Sequence, residues 1–376
     1  MNKRKRNEIV QFKVQSLDSL GQGVSKEEGK IVFIPKTLPG EEGIAEITAS
    51  KKKVSFASLQ NLTKVSPDRI DPDCPHYQKC GGCHYLHTNY ENEVNLKKNA
   101  MLDIFERQHR IEISDKLTIL NSESRFSYRN RVQLHYDTKI GKLGFKSQKD
   151  NEILEVPNCL LPDQQVKEVV SKLYKDQSWK QYASHKKQGH IEVYNKNGVT
   201  SIHANERYAF EGFSQVNKPM NDLLLAHIEE KFAQVNYQNK FILDLFGGNG
   251  NLTENCKFET LVVDATPDKF IKLKSEFQTY KRINLFDENS LSQLTPLIKK
   301  SPDLLMVDPP RSGFKDLLKY TDELKPKEII YVSCNPQSLA RDLRGVLENY
   351  KLERVFMLDF FPGTKHFESM VFLKRI

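Results

Sequence analysis

Two residues of this chain have the chemistry and the setting for covalent catalysis. Cys334 lies in Ser333-Cys334-Asn335-Pro336, directly after the apolar run Glu328-Ile329-Ile330-Tyr331-Val332. That order sets a thiol at the carboxyl end of a buried strand, where open α/β sheets do their chemistry. A strand cysteine is more often a buried structural thiol, but the position after the strand and the following Asn-Pro favour a nucleophile. Glu368, in His366-Phe367-Glu368-Ser369, is the matching candidate for a general base. A thiolate is needed where the accepting carbon is a poor nucleophile, such as C5 of a pyrimidine. Addition at C6 pushes electron density onto C5, and a base must later remove the C5 proton. A base inside folded RNA or a duplex has to be flipped out before it can be reached.

A cofactor loop stands nearby in sequence. Asp244-Leu245-Phe246-Gly247-Gly248-Asn249-Gly250-Asn251 closes an apolar strand with glycines, which let backbone pass close to a ligand. The dinucleotide fingerprint needs a third glycine three residues beyond the second, and this loop lacks it. The leading Asp244 is common in adenosylmethionine-binding loops. Asp264, at the end of the next strand, stands where an acid can accept ribose hydroxyls. Asp308-Pro309-Pro310-Arg311 ends a third strand, and proline there stops the sheet while holding Asp308 at its edge.

Three thiols fall within ten residues, in Cys74-Pro75-His76-Tyr77-Gln78-Lys79-Cys80-Gly81-Gly82-Cys83, and Cys159 is a fourth. A three-plus-one arrangement with glycines against the ligands is more typical of an iron–sulfur cluster than of structural zinc, which uses two close pairs. Zinc is the second reading. Radical adenosylmethionine chemistry uses a tighter first gap, and the nucleotide loop lies in another segment. His76, His84 and His87 read as bystanders.

The elements that must position these residues divide the 376-residue chain into three expected domains. Residues 1–66 carry short strands, Ile9 to Val14, Ile31 to Ile34, Gly43 to Thr48 and Phe56 to Leu62, with glycine punctuation, the pattern of a small OB-like β-barrel. Ser66-Pro67-Asp68-Arg69-Ile70-Asp71-Pro72 reads as a linker. Residues 67–211 mix a polar helix, Tyr90 to Arg107, with alternating stretches such as Arg131 to Tyr136 and Leu143 to Lys146, and form an α+β central domain bearing the cysteines. Residues 212–376 alternate helices with apolar strands at Phe241 to Leu245, Thr260 to Asp264, Leu304 to Asp308, Ile329 to Ser333 and Leu352 to Asp359. That alternation predicts a doubly wound, mostly parallel α/β sheet of Rossmann-like methyltransferase type.

Composition narrows the setting. The chain is 38% hydrophobic and 28% charged, and no apolar window is long enough to cross a bilayer. A soluble, cytoplasmic monomer with no membrane partner is expected. The basic start, Met1 to Arg6, has no apolar core behind it. Six cysteines without an export signal argue against a disulfide framework. A net charge of +8 favours a polyanionic partner, with clusters at Lys3 to Arg6, Lys51 to Lys53, Arg125 to Arg131 and Lys186-Lys187.

Together these motifs resemble the RNA uracil-C5 methyltransferase family, especially its iron–sulfur members that make 5-methyluridine in 23S ribosomal RNA. The likeness spans nearly the whole chain. Gly21-Gln22-Gly23-Val24, Val32-Phe33-Ile34-Pro35 and Leu38-Pro39-Gly40-Glu41 look like a TRAM domain, an RNA-binding β-barrel. The resemblance implies that Cys74, Cys80, Cys83 and Cys159 ligate a [4Fe-4S] cluster, with Cys334 as nucleophile and Glu368 as base. Phe213-Ser214-Gln215-Val216-Asn217 matches the opening of the catalytic domain. Through it the resemblance implies adenosylmethionine contacts at Gln215, Phe246, Asn251, Asp264, Asn289 and Asp308. The chain departs from the family at Gly247, where members often carry cysteine, and at Asp264, where glutamate is usual. The stretch from Asn251 to Asp264 is also short for the usual helix.

The leading expectation is therefore adenosylmethionine-dependent methylation of a uridine in 23S ribosomal RNA, with transfer RNA as the alternative substrate. A non-catalytic RNA-binding protein is the alternative of another class, and the intact Cys334 and Glu368 argue against it. A DNA cytosine-C5 enzyme would place its cysteine after a proline, whereas here Pro336 follows.

Overall fold

The computed structural model describes residues 8–27, 29–147, 150, 152–183, 186–207, 215–233 and 240–376. The basic run Lys3 to Arg6, the segment Phe213-Ser214 and the expected boundary between residues 211 and 212 lie outside them.

The first sheet is built from β1 (Ile9–Lys13), β2 (Ser16–Leu17), β3 (Gln22–Glu27), β4 (Lys30–Pro35), β5 (Glu42–Ser50) and β6 (Val54–Lys64). Its order is β1-β5-β6-β4-β3-β2, and only the β4–β6 pair is parallel. Alternate residues point inward, so Phe12, Val14, Val32, Ile34, Ala45 and Ala57 form its core. The strand β3 is not evident from sequence, because Ser25 and Lys26 interrupt its alternation.

Helix α1 (Tyr90–Leu102) passes directly into a π-helical stretch, Asp103–Gln108, where one continuous helix to Arg107 was expected. Strand β7 (Leu117–Leu120) follows. A second sheet comprises β8 (Arg131–Asp137), β9 (Lys142–Lys146), β10 (Ile153–Leu154), β11 (Gln188–Lys196) and β12 (Val199–Ala204), in the order β10-β9-β8-β11-β12. Helices α2 (Gln164–Lys175) and α3 (Trp179–Tyr182) bring Val166, Val170, Leu173 and Trp179 into a core with Leu134, Leu143 and Ile191. Asp163 starts α2 by accepting the Val166 N–H at 2.8 Å, a regular N-cap.

The third sheet carries the candidate chemistry. After α4 (Lys218–Ala233) come β13 (Phe241–Leu245), β14 (Glu259–Asp264), β15 (Gln278–Arg282), α5 (Ser290–Leu294), β16 (Leu304–Val307), α6 (Leu317–Leu324), β17 (Glu328–Ser333), α7 (Pro336–Val346), β18 (Tyr350–Leu358) and β19 (Glu368–Arg375). The order is β15-β14-β13-β16-β17-β19-β18-β7. All pairings are parallel except the two made by β19. Every residue of β13 and β16 is buried, which is why these strands read as unbroken apolar runs. Between β13 and β14 there is only a single 3₁₀ turn, Asn251–Thr253, in keeping with the shortness of that stretch.

The chain clusters into two compact units. One comprises Met1–Met101, Ser124–Asn205 and Phe361–Lys365; the other comprises Leu102–Glu123, Glu206–Phe360 and His366–Ile376. This grouping differs from the three segments expected from sequence. The first two sheets fall in one unit, and residues 102–123 join the other because β7 pairs with β18. A four-residue strand whose partner lies far along the chain leaves no local signal.

Candidate active site

The candidate residues stand at the strand ends of the third sheet. The antiparallel register pairs Ser333 of β17 with Ser369 of β19, so Cys334 and Glu368 are the next facing positions. Asp308 directly follows β16, the parallel neighbour of β17. Asn335 turns the chain into α7: its side chain accepts the Gln337 N–H at 3.2 Å, and its amide donates to the Arg311 carbonyl at 3.0 Å. The Ser333 hydroxyl accepts the Asn335 N–H at 3.1 Å. Cys334 is thereby fixed between two residues whose side chains are tied to backbone.

Electrostatics in this corner favour neutral forms. Burial, then the negative charges of Glu368 and Asp308, push the Cys334 thiol up to about 12, and Arg311 opposes them. Burial, followed by the charge of Asp308, holds Glu368 well above the usual carboxylate range, again against Arg311. Asp308 keeps part of its surface open but is desolvated enough to rise to about 7, with Asp264 adding to the effect. Strongly shifted groups concentrated at one sheet edge are a mark of functional sites.

Beside them lies a loop shaped for a ligand. Phe246 adopts φ +61°, and its ring packs on Phe286 at 5.3 Å and Phe314 at 5.0 Å. Beneath the loop Asp244 is fully buried; Thr253 donates its hydroxyl to Oδ2 at 2.9 Å, while Oδ1 has no partner. Burial first, opposed by the Thr253 hydrogen bond, lifts Asp244 to about 7. A Cβ on Gly247 would come within 2.7 Å of Asp244 Cγ and of Val262 Cγ1, so only glycine lets the loop lie this close. Asp264 spends its carboxylate on the loop itself, accepting the Gly248 N–H at 3.3 Å and the Thr266 N–H at 2.7 Å. Asn251 exchanges amide hydrogen bonds with Asn221 of α4 at 3.0 and 3.4 Å. Gln215 is half-buried just before α4. Asn289 is exposed at the start of α5 and does not cap it with its side chain.

The four cysteines share another neighbourhood. Burial raises the Cys83 thiol, and the charges of Cys159, Cys80 and Cys74 add to it. Burial lifts Cys159 to about 11, with Cys80 and Cys74 again contributing. The Gly82 N–H points at Cys80 Sγ from 3.4 Å. Among the described residues, however, no group of three or more His, Cys, Asp or Glu side chains is gathered closely enough to cage a single metal ion.

Residues 3–59 match the family model of the TRAM domain, and residues 269–376 that of tRNA (uracil-5-)-methyltransferase. An uncharacterized RNA methyltransferase of Bdellovibrio bacteriovorus is 30% identical, covering 97% of this chain and 95% of its own. A 23S rRNA (uracil(1939)-C(5))-methyltransferase of Shewanella sp. (strain MR-4) is also 30% identical, over 96% of this chain and 94% of its own. The chain belongs to the RNA uracil-C5 methyltransferase family. The Pyrococcus abyssi tRNA (uracil-54, C5)-methyltransferase, solved with S-adenosyl-L-homocysteine, shares the fold of this RNA uracil-C5 methyltransferase. Its TM-score is 0.71 at 20% identity, over 97% of this chain and all of that one.

Three residues of the methyltransferase were given no role of their own in the sequence reading. Asn217 is fully buried, donating to the Phe360 carbonyl at 3.1 Å and accepting the Met220 N–H at 3.3 Å, so it starts α4 and ties it to the end of β18. An asparagine just before a helix is an N-cap signal. Gln278 braces the glycine loop from β15, donating to the Gly250 carbonyl at 2.8 Å and Thr253 Oγ1 at 2.9 Å, and nothing in its sequence context marks it. Asn221, the partner of Asn251, is likewise unmarked.

Proposed function

We propose that this RNA uracil-C5 methyltransferase acts in the cytoplasm, as a monomer, on C5 of a specific uridine in 23S ribosomal RNA. The observation that carries the mechanism is the facing register of Cys334 and Glu368 beside the glycine loop. Adenosylmethionine supplies the methyl group from a sulfonium centre. The orphaned Oδ1 of Asp244 and the glycine cradle above it fit a bound nucleoside cofactor. Gln215, Phe246, Asn251, Asp264, Asn289 and Asp308 would hold it.

In this reading Cys334 gives its proton to solvent and its Sγ bonds to C6 of the uracil. The electron pair displaced onto C5 would take the methyl group, the bond to the sulfonium sulfur breaking with its electron pair kept by the departing thioether. Glu368, as carboxylate, then removes the C5 proton; the Sγ–C6 bond breaks and the C5–C6 double bond returns. Both residues must ionise against the effect of burial, and the Arg311 guanidinium favours ionisation of each. The substrate assignment rests on relatives named as 23S rRNA methyltransferases, 28–30% identical over nearly the whole chain.

The same proposal places a [4Fe-4S] cluster on Cys74, Cys80, Cys83 and Cys159, with zinc as the alternative. A cuboidal cluster binds each thiolate to a different iron and so spaces the sulfurs more widely than one ion does. That agrees with thiols that feel one another's charge without forming a single-ion cage. Iron and sulfide content, read in wild type and Cys159→Ser, separates cluster from zinc.

The test of function is transfer of labelled methyl to undermodified 23S ribosomal RNA and transfer RNA by wild type and Cys334→Ala. Label appearing as 5-methyluridine in ribosomal RNA, and only with wild type, is the expected result. Label in transfer RNA alone would overturn the substrate, and label with Cys334→Ala would overturn the mechanism.

A further inference from the structure

The turn Phe361–Lys365 joins β18 to β19, and only His366 and Phe367 separate it from Glu368. Its backbone is held by side chains and amides far away in sequence. The Gly363 N–H donates to Glu93 Oε1 at 2.6 Å, and the Gly363 carbonyl accepts the N–H groups of His84 at 2.7 Å and Tyr85 at 3.1 Å. The Tyr128 hydroxyl donates to the Pro362 carbonyl at 3.0 Å, and Lys97 Nζ to that of Phe361 at 3.4 Å.

Glu93 is the hub of this arrangement. It is fully buried, and it also accepts Lys97 Nζ at 2.7 Å and two Arg125 nitrogens at 2.8 and 3.1 Å. A hairpin turn ordinarily satisfies its polar groups with its own residues or with water. Burying a carboxylate between two cations is no efficient route to stability, and its best-attested use is to specify one arrangement over others. What this hub specifies is the path of the chain immediately before Glu368.

We propose that Glu93, with Lys97 and Arg125, is a positioning residue for Glu368, and so acts on removal of the C5 proton rather than on methyl transfer. This inference rests on the reading of Glu368 as the base. It singles out one step: a displaced Glu368 leaves the thiol addition and methylation intact but delays breakage of the Sγ–C6 bond. The methylated RNA then stays attached to Cys334.

The test follows methyl-labelled RNA on denaturing gels and measures covalent adduct against free product for wild type, Glu93→Gln, Tyr128→Phe and Glu368→Gln. The ratio is internal to active molecules, so a smaller folded fraction leaves it unchanged. Glu368→Gln should accumulate adduct, and Glu93→Gln should raise the ratio on the order of tenfold, a fraction of what a general base supplies. Tyr128→Phe removes one hydroxyl and should give a smaller rise; it also serves as the reading if Glu93→Gln does not fold. Adduct in Glu368→Gln with a wild-type ratio in the other two variants would overturn the positioning role and leave the base assignment standing. No adduct in Glu368→Gln would overturn the base assignment and this proposal with it.

Discussion

Replacing Asp244 with asparagine should stabilise the protein, and by an amount that depends on pH. Its carboxyl is fully buried and lifted to about 7 by desolvation, against about 3.9 in an unfolded chain. A carboxyl raised on folding costs nothing below its unfolded pKa, costs progressively more as pH rises through the interval, and reaches its full cost above the folded pKa. At about 1.36 kcal/mol per unit the full cost is on the order of 4 kcal/mol at pH 8 and roughly 1–2 kcal/mol at pH 5. Asparagine keeps the acceptor for Thr253 and carries no charge. Its advantage over wild type should therefore grow by roughly 2–3 kcal/mol between pH 5 and pH 8, about a hundredfold in the opening equilibrium. The chain's single tryptophan, Trp179, lies in the other compact unit and is the wrong reporter. Native-state amide exchange on β13 and β14, corrected for intrinsic rates at each pH, reads the correct unit. A variant advantage that stays flat across this range would refute the claim that Asp244 resists ionisation.

Two further outcomes are expected. With its thiol near 12, Cys334 should react with iodoacetamide at pH 8 on the order of a thousandfold more slowly than a free cysteine. The rate should climb about tenfold per pH unit, faster overall in Asp308→Asn and slower in Arg311→Met; peptide mass spectrometry measures it, and a plateau below pH 9 would contradict the assignment. Gly247→Ala forces a Cβ against Asp244 and Val262 and should weaken S-adenosylhomocysteine binding by about tenfold or more, read by calorimetry; an unchanged Kd would mean that the loop does not line the cofactor site.

In the third sheet the strands legible in the sequence are the apolar runs β13, β14, β16, β17 and β18, and the candidate residues at their ends could be read with them. β15, Gln-Thr-Tyr-Lys-Arg, is a polar edge strand with no such pattern, and β7 is too short to stand out. The antiparallel insertion of β19 is a property of long-range pairing, so sequence could nominate Cys334 and Glu368 but could not bring them face to face. The same limit hides Gln278, and it hides the Glu93 hub, whose partners lie up to 270 residues away.

The placement of β19 also bears on biosynthesis. The strand lies between β17 and β18, which do not pair with each other. A nascent chain that has emerged only as far as Leu358 therefore presents two unsatisfied apolar strand edges, a template for sticking to other chains. Completion of the sheet waits for Glu368–Arg375 to clear the ribosome, and the same event delivers the carboxylate opposite the thiol. A chain that stops before that strand has no carboxylate to set opposite Cys334.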